Sequence, residues 1–252
     1  MSGLEGRIAL VTGGGRGIGR AIALALAEDG ADVAINYRRD EAAARETVEA
    51  IRGLGRRAEA YRASVDDAEA DRGMVEAVAR DLGVVDILVN NAGIASRGRN
   101  VADTDPEELL RVLHTHAVGA HHLCRLLVPA MRERPRGDVI MISSVATLFH
   151  AAGGAPYNMA KAALESLAFT LAREERPHGI RVNVVAPGLV ETEMGRRLVR
   201  ATSGVEDLRK LDPAMPFGRV CQPEDVAEVV RFLVSDRCAY VTGEKINVHG
   251  GG

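Results

Sequence analysis

Apolar residues in this chain fall into two alternating patterns. Short apolar runs recur at Ile8–Val11, Val33–Tyr37, Ala58–Ala63, Ile87–Val89, Val139–Ile142, Arg181–Val185 and Ile246–Val248. Apolar runs of four to eight residues fit strands that are covered on both faces. Between them lie longer, helix-like stretches in which polar residues break the apolar ones: Gly17–Glu28, Glu41–Arg52, Asp67–Leu82, Asp105 to about Arg134, the stretch that carries Tyr157 to about Glu175, and the one opened by Gln222-Pro223-Glu224. Asp105-Pro106-Glu107-Glu108 is a helix start with an acid at the cap, proline at the first helical position and glutamate at the third. Gly30, Gly53 and Gly137 close the turns that follow helices. Strand–helix alternation of this kind predicts an α/β fold, a parallel sheet with helices on both faces. No linker, repeat or low-complexity segment divides the chain, so residues 1–252 are expected to form a single domain. The irregular stretches are 92–104 and 189–217. Loops of that length in a compact fold are usually functional, and the second is the natural lid.

Composition narrows the function classes. A net charge of −3 with 27% charged residues gives no basic footprint for nucleic acid or an acidic membrane. The N-terminus lacks a signal-peptide layout and no run approaches 18 apolar residues, so a cytoplasmic protein without a membrane span is expected. Cys124, Cys221 and Cys238 are odd in number and lack Cys-x-x-Cys spacing, as expected of reduced thiols.

Between the first strand and the first helix lies Thr12-Gly13-Gly14-Gly15-Arg16-Gly17-Ile18-Gly19. Glycines there let the chain turn sharply and let a pyrophosphate approach a helix N-terminus, where unpaired N–H groups favour anions. The Gly-x-x-x-Gly-x-Gly spacing is one residue longer than the common dinucleotide fingerprint. The Gly-x-x-x-x-Gly-Lys-Ser/Thr loop is missing, which disfavours ATP or GTP hydrolysis. The second strand ends Asn36-Tyr37-Arg38-Arg39, with no carboxylate until Asp40. An acid at that position binds the ribose 2′-hydroxyl of NAD, whereas arginine suits the 2′-phosphate of NADP. Arg38, with Arg16 as a second cation, therefore predicts NADP(H) over NAD(H); a solvated helix entrance is the plainer reading of Arg38 and Arg39.

Tyr157 and Lys161 stand four apart in a helix-like segment, which puts both side chains on one face. Tyrosine alone keeps its proton to about pH 10. A lysine one turn away is expected to favour the phenolate and lower that value. A hydroxyl such as Ser144, delivered from the preceding strand, could hydrogen-bond a substrate oxygen beside the phenol.

Taken together, the glycine loop, Asn90-Asn91-Ala92-Gly93, Ser144…Tyr157-x-x-x-Lys161, Asn183, Pro187-Gly188 followed by Thr192, and the ending Tyr240-Val241-Thr242-Gly243…Val248-His249-Gly250-Gly251 make the chain resemble the short-chain dehydrogenase/reductase superfamily. Within it the chain looks like the 3-oxoacyl-[acyl-carrier-protein] reductase group. The resemblance covers essentially the whole chain. It implies a Rossmann-type doubly wound sheet of about seven parallel strands and hydride transfer between NAD(P)H and a carbonyl. It implies Tyr157 as acid/base, Ser144 on the substrate oxygen and Lys161 on the nicotinamide ribose. It places Gly13, Gly15, Arg16, Gly17, Ile18, Gly19, Arg38, Ser64, Val65, Asn91, Ala92, Gly93, Pro187, Gly188 and Thr192 along the cofactor. Two positions depart from the family pattern. His116-Ala117-Val118-Gly119 stands where the family has Asn-x-x-Gly, whose asparagine helps hold a water in the proton relay behind the lysine; histidine could do this too, since it donates and accepts hydrogen bonds and titrates near neutral pH. Ser64 stands where the family usually has an aspartate on the adenine.

His114, His116, His121 and His122 crowd one helix, but no two are four apart, so no metal site is expected. Substrate choice is expected from Ala95–Arg97, Val145–His150 and the lid. Arg132, Arg134 and Arg136 form a basic cluster that could dock an acyl carrier protein or simply end a helix in solvent. The resemblance implies a homotetramer or homodimer. Three readings follow: a reductase of 3-oxoacyl thioesters or other ketones, an alcohol or sugar dehydrogenase run oxidatively, and a catalytically silent cofactor-binding sensor.

Overall fold

A computed structural model describes residues 3–251; residues 1, 2 and 252 of the single-domain reading lie outside it. Seven strands form one sheet: β1 (Ile8–Val11), β2 (Asp32–Tyr37), β3 (Ala58–Arg62), β4 (Ile87–Asn90), β5 (Gly137–Ile142), β6 (Ile180–Pro187) and β7 (Lys245–Val248). The order is β3-β2-β1-β4-β5-β6-β7 and every pairing is parallel. The helices are α1 (Gly17–Glu28), α2 (Glu41–Gly53), α3 (Ala68–Asp81), α4 (Pro106–Leu113), α5 (Gly119–Met131), α6 (Ala146–Phe149), α7 (Ala155–Glu175), α8 (Glu193–Ser203) and α9 (Pro223–Val234).

Side chains on a strand alternate between faces, and here both faces are apolar. Ala9 and Val11 of β1 join one core with Ile22 and Leu26 of α1, Val48 of α2 and Val230 of α9. Ile8 and Leu10 join a second core with Val78 of α3, Leu123 of α5 and Leu164 and Ala168 of α7. The unbroken apolar runs of the sequence are thus strands buried from both sides. Chain order reverses between β1 and β4, and the crevice at the carboxyl ends of those strands is where ligands bind in such sheets.

Three elements differ from expectation. The helix predicted from Asp105 to about Arg134 is α4 and α5 joined through one π-helical stretch, His114–Val118, and it ends at Met131. Such single-turn π stretches often mark functional sites. The 189–217 stretch is not irregular throughout: it contains α8, capped by Thr192, whose hydroxyl accepts from the Gly195 N–H at 3.0 Å. Val199 and Leu208 of this stretch bury themselves with Val220 in a small separate core. The third is α6, one short turn directly after Ser144. Among the described residues, no helix is long and apolar enough to cross a membrane.

Candidate active site

The glycine loop leaves β1 and turns into α1 with Gly13 and Gly17 at φ of 62° and 53°, a left-handed backbone that glycine adopts without strain. Arg16 precedes the first turn of α1 and makes no side-chain cap bond to it. Gly19 keeps the helix tight against the loop: a Cβ there would lie 2.3 Å from the Gly13 carbonyl oxygen and 2.5 Å from Asn91 Nδ2. The end of β4 braces the same loop. Asn91 Nδ2 donates to the Thr12 and Gly13 carbonyls at 2.8 and 3.3 Å. Thr12 Oγ1 accepts from the Asn91 and Ala92 N–H groups, both at 2.9 Å. Asn91, expected along the cofactor, therefore has its side-chain amide turned to the glycine-loop backbone. Ile18 packs on the core. Gly15 rests against the start of α2, where a Cβ would meet the Ala44 nitrogen at 3.0 Å.

Asn36 is a residue that sequence reading did not single out. It is 2% exposed, its Oδ1 accepts from the Gly13 N–H at 3.2 Å, and its Nδ2 donates to the Ala63 carbonyl at 3.0 Å. It ties the loop across β2 to the end of β3. A buried polar residue at the end of an apolar strand is the only sequence signal that pointed to it.

At the carboxyl end of β2, Arg38 and Arg39 are exposed and form no ion pair among the described residues. The strand register sets Arg62 of β3, also exposed, opposite Tyr37 and adds a third guanidinium here. Arg16 is already engaged, 2.5 Å from Glu193 and 3.9 Å from Asp40. Gly17 lies beneath Thr192, whose methyl would touch a Cβ at 3.3 Å. The Ser64 hydroxyl, expected on the adenine, donates instead to Asp66, and Val65 is buried. Pro187 and Gly188 end β6: the Pro187 carbonyl accepts from the Val145 N–H, and the Gly188 N–H donates to Val248.

Ser144, Tyr157 and Lys161 converge at the carboxyl end of β5. Ser144 Oγ accepts from the Ala146 N–H at 3.1 Å, which fixes the hydroxyl at the start of α6. Tyr157 lies in the first turn of α7, and the Lys161 ammonium lies 5.6 Å from its ring centroid. Lys161 is 3% exposed and donates to the Ile142 carbonyl at 2.6 Å. Burial pushes Lys161 down to about 7, against the nearby Glu165 carboxylate, which raises it. The expectation that the lysine holds the phenol below its ordinary value is corrected. Burial raises Tyr157, with the Ser144 hydroxyl pulling the other way, because a phenolate loses more by leaving water than that bond returns.

His116 sits in the π-helical stretch, 3% exposed, its ring edge-on to Tyr157 at 5.3 Å between centroids. Nε2 lies 2.8 Å from the Ile94 carbonyl oxygen and 3.1 Å from the Ile94 nitrogen, and Nδ1 is buried without a partner among the described residues. The ring lies so close to Gly93 that a Cβ there would stand 2.4 Å from His116 Cε1. It also lines a cavity of about 10 Å³ with Thr12, Val65, Asn90, Ala92, Thr115 and Ala120, room for a single water. The expectation that His116 titrates near neutrality is corrected as well. Burial first, then the Lys161 charge, push it down to about 3, so the imidazole is neutral at physiological pH.

Each arginine of the basic cluster pairs with a buried carboxylate. Arg132 clasps Glu175 at 2.9 and 2.6 Å, Arg134 meets Asp86 at 2.8 Å, and Arg136 meets Asp138 and Asp236 at 3.0 and 2.6 Å. These guanidiniums pair with the protein's own carboxylates, while the Arg132 and Arg134 side chains stay 42% and 37% exposed. Among the described residues no group of three or more His, Cys, Asp or Glu is placed to hold a metal.

Comparison with known proteins places this geometry. Residues 13–252 match the family model described as enoyl-(acyl carrier protein) reductase. The chain is 38% identical to a 3-oxoacyl-[acyl-carrier-protein] reductase of Staphylococcus aureus, covering 96% of each chain. Among solved structures it superposes on a short-chain type dehydrogenase/reductase from Mycobacterium marinum with a TM-score of 0.89 at 33% identity, over 99% of this chain and 96% of that one. It also superposes on NAD+-bound xylitol dehydrogenase with a TM-score of 0.91 at 30% identity, over 98% and 99%.

Proposed function

Because the chain belongs to the short-chain dehydrogenase/reductase family of NAD(P)-dependent oxidoreductases, we propose that it reduces a ketone to a secondary alcohol with NADPH. The observation that carries this reading is the convergence of Ser144, Tyr157 and Lys161 at the carboxyl end of β5, with the Tyr157 proton held by burial. Reduction needs a proton donor at the substrate oxygen, and oxidation needs a phenolate.

The residues at the crevice fit a dinucleotide. The first turn of α1 has no side-chain cap, Gly13 and Gly17 supply the left-handed turn, and Gly19 lets the loop close on the helix. Gly15, Gly93, Pro187, Gly188 and Thr192 line the path of the cofactor in this proposal, and Arg38 meets the 2′-phosphate. When bound, the dihydronicotinamide supplies hydride to the carbonyl carbon. Ser144 holds the carbonyl oxygen, Tyr157 gives that oxygen its proton, and the Lys161 ammonium stabilises the resulting phenolate and holds the nicotinamide ribose. The 189–217 stretch, which begins over the glycine loop, acts as the lid. Carrier-bound or free acyl thioesters and other ketones are the proposed substrates, in a cytoplasmic homotetramer or homodimer. Similarity to an NAD+-bound xylitol dehydrogenase supports a second reading, oxidation of an alcohol or sugar.

The test follows NADPH absorbance with the purified protein against acyl thioesters, diketones, steroids and quinones. In the same assay Arg38→Ala is expected to weaken NADPH roughly tenfold or more while leaving NADH unchanged, the scale of a lost charge-assisted bond. A wild-type preference for NADH, or a preference untouched by the substitution, sinks the role of Arg38. His116, in this proposal, serves the relay behind Lys161 as a neutral hydrogen-bonding group, not as a titrating one. His116→Asn, a neutral group that can also donate and accept, is therefore expected to retain turnover within a few-fold and to leave the pH profile of kcat in place. A profile that loses a near-neutral limb in that variant would mean that the imidazole does titrate in catalysis.

A further inference from the structure

We propose that Glu165 is a positioning residue of this active site, holding the segment that presents Ser144 against the helix that carries Tyr157 and Lys161. The proposal rests on the assignment of those three residues under the proposed function. Glu165 follows Lys161 by one helical turn on α7 and is 9% exposed. Its Oε1 accepts from Ser143 Oγ at 2.5 Å, on one side of Ser144, and lies 2.8 Å from Thr147 Oγ1 on the other. Thr147 Oγ1 is also 2.9 Å from the Ser144 carbonyl oxygen, so its one proton serves either acceptor. Lys245 of β7 closes the cluster, 3.0 Å from Glu165 Oε2 and 2.6 Å from Thr147 Oγ1.

The helix and the strand end are therefore stitched at two rungs one turn apart. The first is Lys161 on the Ile142 carbonyl; the second is Glu165 on the hydroxyls that flank Ser144. A catalytic hydroxyl must be held to within about half an ångström, and neighbouring groups supply that constraint. The carboxylate has a second effect along its own helix. It opposes the burial that drives the proton from Lys161, so it keeps more of the ammonium charged near Tyr157. The charged and polar groups that face Glu165 are Lys161 on α7, Lys245 on β7, and Ser143 and Thr147 on the β5–α6 segment. Lys161 in turn faces His116 and Tyr157.

Two variants separate these effects. Ser143→Ala removes one rung and keeps the charge. It is expected to lower kcat roughly five- to tenfold, with the KM for NADPH and the pH profile unmoved. Glu165→Gln keeps an oxygen for the hydroxyls and removes the charge. The alkaline limb of kcat, where Lys161 loses its proton, is then expected to move to lower pH by about half a unit or more. A readout without turnover accompanies it: nuclear magnetic resonance titration of the Lys161 side chain in the free protein, assigned by its absence from a Lys161→Met background. In Glu165→Gln the Lys161 midpoint should fall by about half a unit or more. If the wild type reduces no ketone, the proposed function falls and the titration alone decides the role of Glu165. If both variants melt earlier but Lys161 titrates as in wild type, and any turnover and its pH profile are also unchanged, the cluster serves stability only and the proposal is overturned.

Discussion

Tyr157→Phe is expected to lower kcat by roughly two to four orders of magnitude while cofactor binding stays within a few-fold of wild type. The substitution removes one oxygen and one proton and little else. The ring stays half-buried and keeps its edge-on contact with His116, so the fold has no reason to change. What disappears is the phenol proton hydrogen-bonded beside Ser144. The serine hydroxyl cannot replace it, because Oγ is fixed by the Ala146 N–H and a neutral alcohol is a far weaker acid than phenol. The pH dependence of the wild type follows from the two shifts together. Tyr157 is raised, so the phenol persists into alkaline solution. Lys161 is lowered to about 7, so its charge is present below that value and lost as pH rises through it. Reduction should therefore be fastest on the acid side of neutrality and decline above it, with the decline governed by the lysine. Steady-state rates across pH, with NADPH affinity measured by fluorescence, check both statements. A Tyr157→Phe protein within tenfold of wild type would remove the general-acid role.

The sequence carried the sheet and the trio at its edge because both depend on local patterns. Apolar runs at strand length, interrupted by helix-length stretches, leave few arrangements other than a doubly wound parallel sheet. The four-residue spacing of Tyr157 and Lys161 needs only a helix to become a shared face. What the sequence could not carry was the balance between burial and charge. Lysine beside tyrosine suggested a lowered phenol, yet desolvation outweighs the Ser144 hydrogen bond at the phenol and the Glu165 charge at the lysine. The same desolvation turns His116 from a group expected to titrate into a neutral one. Long-range partners were also invisible. Nothing local to Asn36 says that it braces the glycine loop, and Glu165 reads as one more polar helix position until β7 brings Lys245 to it. The helix in 189–217 was missed for a related reason: its apolar residues, Val199 among them, are few and pack on Leu208 and Val220, outside both large cores.

The pairing of Arg136 with Asp138 leads to the largest expected change in stability, at the end of the sheet opposite the site. Asp138 begins β5 and is 1% exposed. Arg7, Arg136 and Arg181 approach it at 2.8, 3.0 and 2.6 Å from the start of β1, the turn before β5 and the start of β6. Arg181 is itself 7% exposed, so its charge has little water to turn to. Such a cluster need not be more stable than an apolar packing of the same volume, since bringing the charges out of water costs much of their attraction. Removing one member is a different matter. Asp138→Ala leaves the well-buried Arg7 and Arg181 without their carboxylate, while Arg136 keeps Asp236. The expected loss is about 3–5 kcal/mol, a large part of the 5–15 kcal/mol that holds a typical domain. Asp138→Asn keeps the shape and the acceptor oxygen but not the charge, and should fall between the two. Denaturant unfolding of the three proteins measures the series. The folded fraction should keep wild-type KM values, because the cluster lies at the amino ends of the strands and Tyr157 at the carboxyl ends. Stability within about 1 kcal/mol of wild type in Asp138→Ala would show that the guanidiniums reach solvent after all.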